Sequence, residues 1–208
     1  INIFLYADGI ILLAPSVSAL QTMLSLCEAH LSCLDMALNA SKSVCLRIGA
    51  RYKDECSSLI TMNGETLSWV DSCRYLGTYI VAARTFKVSI SNNKRSFYRS
   101  VNAILSKVGH CATEDVLVKL ISAKALPALV YGLEACSVSL TDSRTLDFVT
   151  TRTFMRIFKT SSVDIVNECQ LRFNFRNVSE NVADRRRGFL CKYAACDNAV
   201  CKFFADNP

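Results

Sequence analysis

The chain has 208 residues, 51% of them hydrophobic, and a formal net charge of +6, which suits one or two globular domains and shows neither repeats nor low-complexity linkers. The longest apolar run, at the start, is about a dozen residues and is broken by Asp8, so the roughly twenty needed for a membrane span are not there, and no membrane partner is expected. The eleven cysteines are odd in number and include no Cys-x-x-Cys pair, and the only histidines are His30 and His110, a set that excludes a zinc module and fits reduced thiols in an intracellular compartment, nucleus or cytoplasm.

The first element is a β-hairpin: Ile3-Phe4-Leu5 and Ile10-Ile11-Leu12-Leu13 flank Tyr6-Ala7-Asp8-Gly9 and display Asp8 at the tip, where a carboxylate can hold a metal. Taken alone, Asp8-Gly9 is equally an ordinary type I′ turn signal, since both residues tolerate positive φ. Ser16 is a plausible N-cap for a helix reaching Leu38, because Val17, Leu20, Leu24, Cys27, Leu31, Leu34 and Leu38 alternate spacings of three and four. A strand from Val44 to Ile48 follows. Leu59 to Met62 and Glu65 to Val70 flank the turn pair Asn63-Gly64, and a further strand is predicted from Arg74 to Ile80.

Beyond a boundary placed near Ala82 to Arg84 the pattern becomes helical, and the charge changes with it. Residues 1–83 hold five Lys or Arg against seven Asp or Glu, whereas residues 84–208 hold nineteen against eleven. Residues 84–110 contain no acid at all. Within them Arg84, Lys87, Lys94, Arg95, Arg99 and Lys107 are interleaved with Val88, Ile90, Phe97, Val101, Ile104, Leu105 and Val108, which predicts a helix packed on one side and basic on the other. Such a face can track a phosphate backbone; it can equally be a solvated surface. Thr113 with Glu114 and Asp115 opens a helix toward Pro127, where a kink or break is expected. Thr141 with Asp142 caps another that turns Leu146, Val149, Phe154 and Ile157 inward and Arg144, Arg152, Arg156 and Lys159 outward. A last helix, Ser179 to Tyr193, carries Arg185-Arg186-Arg187, three side chains that must point in different directions.

Four of these segments carry a family resemblance. Tyr6-Ala7-Asp8-Gly9 resembles the Tyr-Ala-Asp-Asp hairpin of the reverse transcriptases of non-LTR (LINE-type) retrotransposons, with Gly9 where the second aspartate should stand. Asn39, Lys42 and Ser43 match the Asn-x-x-Lys-[Ser/Thr] segment that follows that hairpin, and Tyr75-Leu76-Gly77 resembles the Tyr-Leu-Gly of the primer grip. Leu126 to Cys136 is similar to the Pro-x-Leu-x-Tyr-Gly-x-Glu-x-Trp stretch, with Cys136 in place of the tryptophan. The resemblance is strongest to about residue 80 and fades after about residue 140.

The resemblance implies an α+β fold: a partial polymerase palm over residues 1–83 (β-hairpin, helix, short antiparallel strands), a helical thumb over 84–160 and a helical extension over 161–208. It implies an RNA-directed DNA polymerase, a nucleotidyltransferase whose partner is the template-primer duplex. In that family Mg2+ or Mn2+ ions are held by three aspartates, one on an earlier strand and two in the hairpin. Of these only Asp8 is present as a metal ligand and catalytic remnant. Lys42 would lie near the incoming nucleotide and Tyr75-Leu76-Gly77 near the primer end, while Lys87, Lys94, Arg95, Arg99 and Lys107 would face phosphates. A chain that starts inside a strand without an initiator methionine is expected to be a piece of something longer that supplies the first aspartate and the fingers. One carboxylate cannot offset two doubly charged ions, so the expectation is a chain that holds no productive metal pair and is inactive alone. The alternatives are a non-catalytic nucleic-acid-binding module and a rarely translated product with no role.

Overall fold

A computed structural model describes residues 2–206, with the side chains of all of these except Val200 and 204–206. The fold is mixed α+β, with short strands in the first part and helices after them. The chain forms two units, Ile1–Tyr75 with Ile80–Lys87, and Leu76–Tyr79 with Val88–Pro208.

In the first unit, β1 (Ile3–Tyr6) and β2 (Gly9–Leu12) pair antiparallel, Ile3 opposite Leu12 and Tyr6 opposite Gly9. Helix α1 (Val17–Ser32) starts where its cap predicts: the Ser16 hydroxyl accepts from the Ala19 amide at 3.2 Å. It ends earlier than the apolar repeat suggests. Asp35 takes a left-handed φ of 54°, and the Met36 and Asp35 amides donate back to the carbonyls of Leu31 and Ser32, a Schellman stop with aspartate in place of the usual glycine. Leu34 is consequently left 68% exposed, and Leu38 reaches the small core of Leu24, Cys45, Leu59 and Leu67 from the following loop rather than from the helix.

That core lies under a three-stranded sheet ordered β3 (Val44–Cys45), β5 (Thr66–Trp69), β4 (Leu59–Ile60), parallel between the first two and antiparallel between the last two. Strand β3 is shorter than the predicted Val44 to Ile48; Ile48 makes only an isolated bridge to Ala83. The open edge of β4 is closed by α1. Gln21 donates Nε2 to the Ile60 carbonyl at 2.7 Å and accepts the Ile60 amide on Oε1 at 2.9 Å, and Glu28, two turns on, accepts the Met62 amide at 3.0 Å. Side-chain amide and carboxylate here stand in for a neighbouring strand, which blunts an edge that would otherwise pair with another chain.

A third sheet runs in the order β6 (Ser72–Tyr75), β7 (Thr78–Val81), β8 (Lys87–Val88). The single strand predicted from Arg74 to Ile80 is therefore broken at Leu76-Gly77, whose φ values of 47° and 83° are both left-handed. Two consecutive positive φ angles between strands make a type I′ turn, and leucine in the first of them is strained.

The second unit is helical: α2 (Ser91–Val108), α3 (Glu114–Leu120), α4 (Leu126–Val130), α5 (Leu140–Ile157), α6 (Val163–Arg172), α7 (Val178–Ala194) and α8 (Ala199–Asp206). Val88 and Ile90, predicted inside the basic helix, precede it. The expected disturbance near Pro127 takes the form of a π turn over Ile121–Ala125; the Leu126 amide donates to the Ile121 carbonyl, and Pro127, with no amide of its own, falls at the start of α4. A π turn absorbs one extra residue, so the helix resumes without the proline ring striking the preceding turn. The cap of α5 is Ser139 rather than Thr141: its hydroxyl accepts from the Asp142 amide and donates to the Asp142 carboxylate at 2.7 Å, a reciprocal arrangement of the capping-box kind. Phe97, Val101, Ile121, Leu129, Leu133 and Leu146 fill the main core together with Val178 and Val182 of α7. A second core joins Val118, Phe154, Val166 and Phe175, where the Phe154 and Phe175 rings meet edge-on at 4.8 Å. Among the described residues no helix is long and apolar enough to cross a membrane, and the eleven cysteines are free thiols.

Candidate functional site

The hairpin turn consists of Ala7 and Asp8, not of Asp8 and Gly9. Ala7 carries the positive φ, 52°, while Gly9 is the first residue of β2 and has no left-handed φ. The type I′ reading of Asp8-Gly9 is therefore corrected, because glycine's conformational freedom is not used at position 9. A Cβ built there would stand 3.3 Å from the Tyr6 carbonyl oxygen and 3.9 Å from the Tyr75 ring. An aspartate there would require the Tyr6 carbonyl to give by a few tenths of an ångström. Asp8 itself is exposed at the turn. Among the described residues no group of three or more His, Cys, Asp or Glu side chains gathers there or elsewhere.

Tyr6 and Ala7 lie on the hairpin beside Asp8. Asn39 organises the loop around it: its side-chain oxygen accepts from the Lys42 amide at 3.1 Å and from the Ser41 hydroxyl at 2.7 Å, and its carbonyl accepts from the Ser43 hydroxyl at 2.9 Å. The Asn-x-x-Lys-Ser spacing thus builds an Asx-type turn that presents Lys42 to solvent. Lys42 makes no ion pair or side-chain hydrogen bond among the described residues, and the hairpin and β3 belong to different sheets.

Two other resembling segments do meet. Tyr131 donates its hydroxyl to the Leu76 carbonyl at 3.1 Å, and its ring covers Gly77, where a Cβ would approach to 3.0 Å. Gly132 in turn has φ 74° and would drive a Cβ to 2.4 Å from the Thr78 methyl. Gly77 and Gly132 are both fixed by close approach and by backbone conformation, so Leu76-Gly77 and Tyr131-Gly132 form one tight joint from segments 55 residues apart in the chain.

The basic helix is α2. Arg95, Arg99 and Lys107 are exposed, and none makes an ion pair among the described residues. Lys94 is half-buried and shares its helix row with buried Phe97 and Val101, so it does not belong to the solvent face. Lys87 precedes the helix, on β8. The other exposed positions of the helix, Ser91, Ser96, Asn102, Ala103 and Ser106, are neutral, so the face is not wholly basic. The neighbour of α2 is what the residues alone do not announce. Arg156 of α5 donates to the Asn102 side chain of α2 at 2.7 Å, and Arg152 lies near Tyr98, whose phenol is pushed up by burial and pulled partly back by that guanidinium. Arg95 and Arg99 on α2 and Arg152 and Arg156 on α5 therefore belong to neighbouring helices joined by these contacts. The arginines are legible one helix at a time; the pairing of the helices is not.

The Arg185–Arg187 cluster is occupied structurally. Arg185 pairs with Glu134 at 3.4 Å, Arg186 donates to the Cys136 carbonyl at 2.7 Å, and Arg187 pairs with Asp184. Arg187 and then Arg176, which lies 2.8 Å from Asp184, hold the Asp184 carboxyl below the usual carboxylate range. Comparison with family models, with curated proteins and with solved structures found no match.

Proposed function

We propose that this chain is the palm and thumb portion of an RNA-directed DNA polymerase of the non-LTR retrotransposon kind, inactive as a polymerase by itself, which binds the template-primer duplex through its basic helices inside the cell. The observation that carries the reading is the joint between Leu76-Gly77 and Tyr131-Gly132. Two segments picked out by the same family pattern, far apart in sequence, depend on each other's glycines and on one hydroxyl-to-carbonyl bond, which is the kind of coupling a shared ancestry would leave. Tyr75 beside position 9 supports the same reading.

The donor set at the hairpin does not fit the family's metal pair. Asp8 is a single exposed carboxylate, and two divalent ions held a fixed distance apart need several anionic ligands to offset their charge. No catalytic step is derived through them. A second reading, a module that only binds nucleic acid, is favoured by the four arginines shared between α2 and α5.

Primer extension with the whole chain on an RNA template, with Mg2+ or Mn2+, is expected to give no incorporation, and Gly9→Asp alone is expected not to restore it, because two carboxylates still fall short of the family's ligand set. Duplex binding followed in the same samples should persist. Extension by the unmodified chain would overturn the inactivity, and absence of duplex binding at low salt would overturn both readings.

A further inference from the structure

We propose that the exposed stripe of α5 is a stacking platform for unpaired bases, so that the chain takes single-stranded RNA or DNA as well as duplex; this rests on the nucleic-acid-binding reading above. Arg144, Phe148, Arg152 and Arg156 follow one another at intervals of four and form one row on the helix surface. All four are exposed. Phe148 stands 55% open to solvent between the cations, with the Arg152 guanidinium 6.0 Å from its ring centroid. A phenylalanine has no polar atom that would explain its outward position, and its neighbours along the row are not apolar, so it does not extend a buried core.

Charge along the row is uniform. The two acids of α5 are engaged elsewhere: Asp142 closes the Ser139 cap, and Asp147 accepts the Ser179 amide at 2.9 Å. With a rise of about 1.5 Å per residue, Arg152 and Arg156 lie about 6 Å apart along the axis and Arg144 about 12 Å from Arg152, spacings that an extended single strand can follow with its phosphates. An exposed ring flanked by guanidinium groups offers the two things unpaired nucleotides bind without sequence preference, a π-face and positive charge. Bases inside a duplex have both faces covered and cannot use the ring. The outer face of α2 carries arginines but no aromatic, so the two helices divide the chemistry: α2 meets backbone alone, α5 meets backbone and base.

The test is fluorescence anisotropy with the full chain and a labelled mixed-sequence 12-nucleotide strand, single or annealed to its complement. Phe148→Ala is expected to weaken single-strand binding by roughly 5- to 100-fold and duplex binding by less than about twofold, with Phe148→Trp retaining affinity and its emission quenched by the strand. An unchanged circular-dichroism melt checks that the exposed position leaves folding intact. If Phe148→Ala leaves single-strand binding unchanged, or weakens both forms equally, the platform is refuted while duplex binding stands. If the unmodified chain binds neither form, the inference falls together with the reading it rests on.

Discussion

The two units differ in the size of the apolar core each one closes. In the strand-rich unit the core reduces to Leu24, Cys45, Leu59 and Leu67, and Leu5, Tyr6, Leu26, Leu34 and Met62 are each more than half exposed. The helical unit closes a core of fifteen buried residues, Phe97, Leu129 and Leu146 among them with no exposed surface, and adds a second around Phe154. Asp8, which resembles a catalytic residue, thus sits on an exposed hairpin of the unit with the smaller core, while the arginines proposed to meet nucleic acid stand on a well-packed scaffold. Rigid presentation of a charged face needs the second kind of support, and survives the loss of the first.

Substitutions should expose that difference in order of size. Phe154→Ala removes a ring packed against Phe158 and Phe175 and is expected to cost about 3–5 kcal/mol, whereas Leu5→Ala should stay within about 0.5 kcal/mol; urea denaturation followed by circular dichroism compares them. Equal costs would erase the contrast between the units. Gln21→Ala takes away both bonds that cover the Ile60 backbone and should cost about 1 kcal/mol, visible as faster hydrogen exchange at the Ile60 amide. At the Leu76-Gly77 turn the sign reverses. Leu76→Gly relieves a left-handed leucine and should stabilise by up to about 1 kcal/mol, while Tyr131→Phe, which deletes the bond to the Leu76 carbonyl, should destabilise by about the same amount.

The smallest expected effect is alkaline. Burial pushes the thiols of Cys45 and Cys73 up, and that of Cys136 up against the opposing pull of Arg186. A group whose pKa is raised in the folded state holds its proton more tightly there than in the unfolded chain, so its contribution is complete below the unfolded value and is lost as pH rises through the folded one. Denaturation midpoints should therefore decline above about pH 9, and Cys45→Ala with Cys136→Ala should flatten that decline. A midpoint rising over the same range would contradict the assignment.

Much of this was legible in the residues. Two apolar runs flanking a turn give the hairpin, Ser16 marks the start of α1, and the outward arginines of α5 follow from the inward Leu146, Val149, Phe154 and Ile157. Local signals failed where a stop depends on an uncommon conformer. Asp35 ends α1 in a left-handed state that glycine usually fills, and Leu76 does the same in a turn read as continuous strand. They failed again wherever the partner lies far along the chain. Nothing near Arg185-Arg186-Arg187 announces Glu134 or the Cys136 carbonyl, and nothing near Arg95 or Arg99 announces α5.

The proposed nucleic-acid face is tested most directly by the salt dependence of duplex binding, measured for the whole chain and for a variant with Arg95, Arg99, Arg152 and Arg156 replaced by glutamine. If all four touch phosphates of B-form DNA, the slope of log affinity against log salt should become shallower by about 3.6, with the fold unchanged by circular dichroism. A slope identical in the two proteins would show that these helices present only a solvated surface.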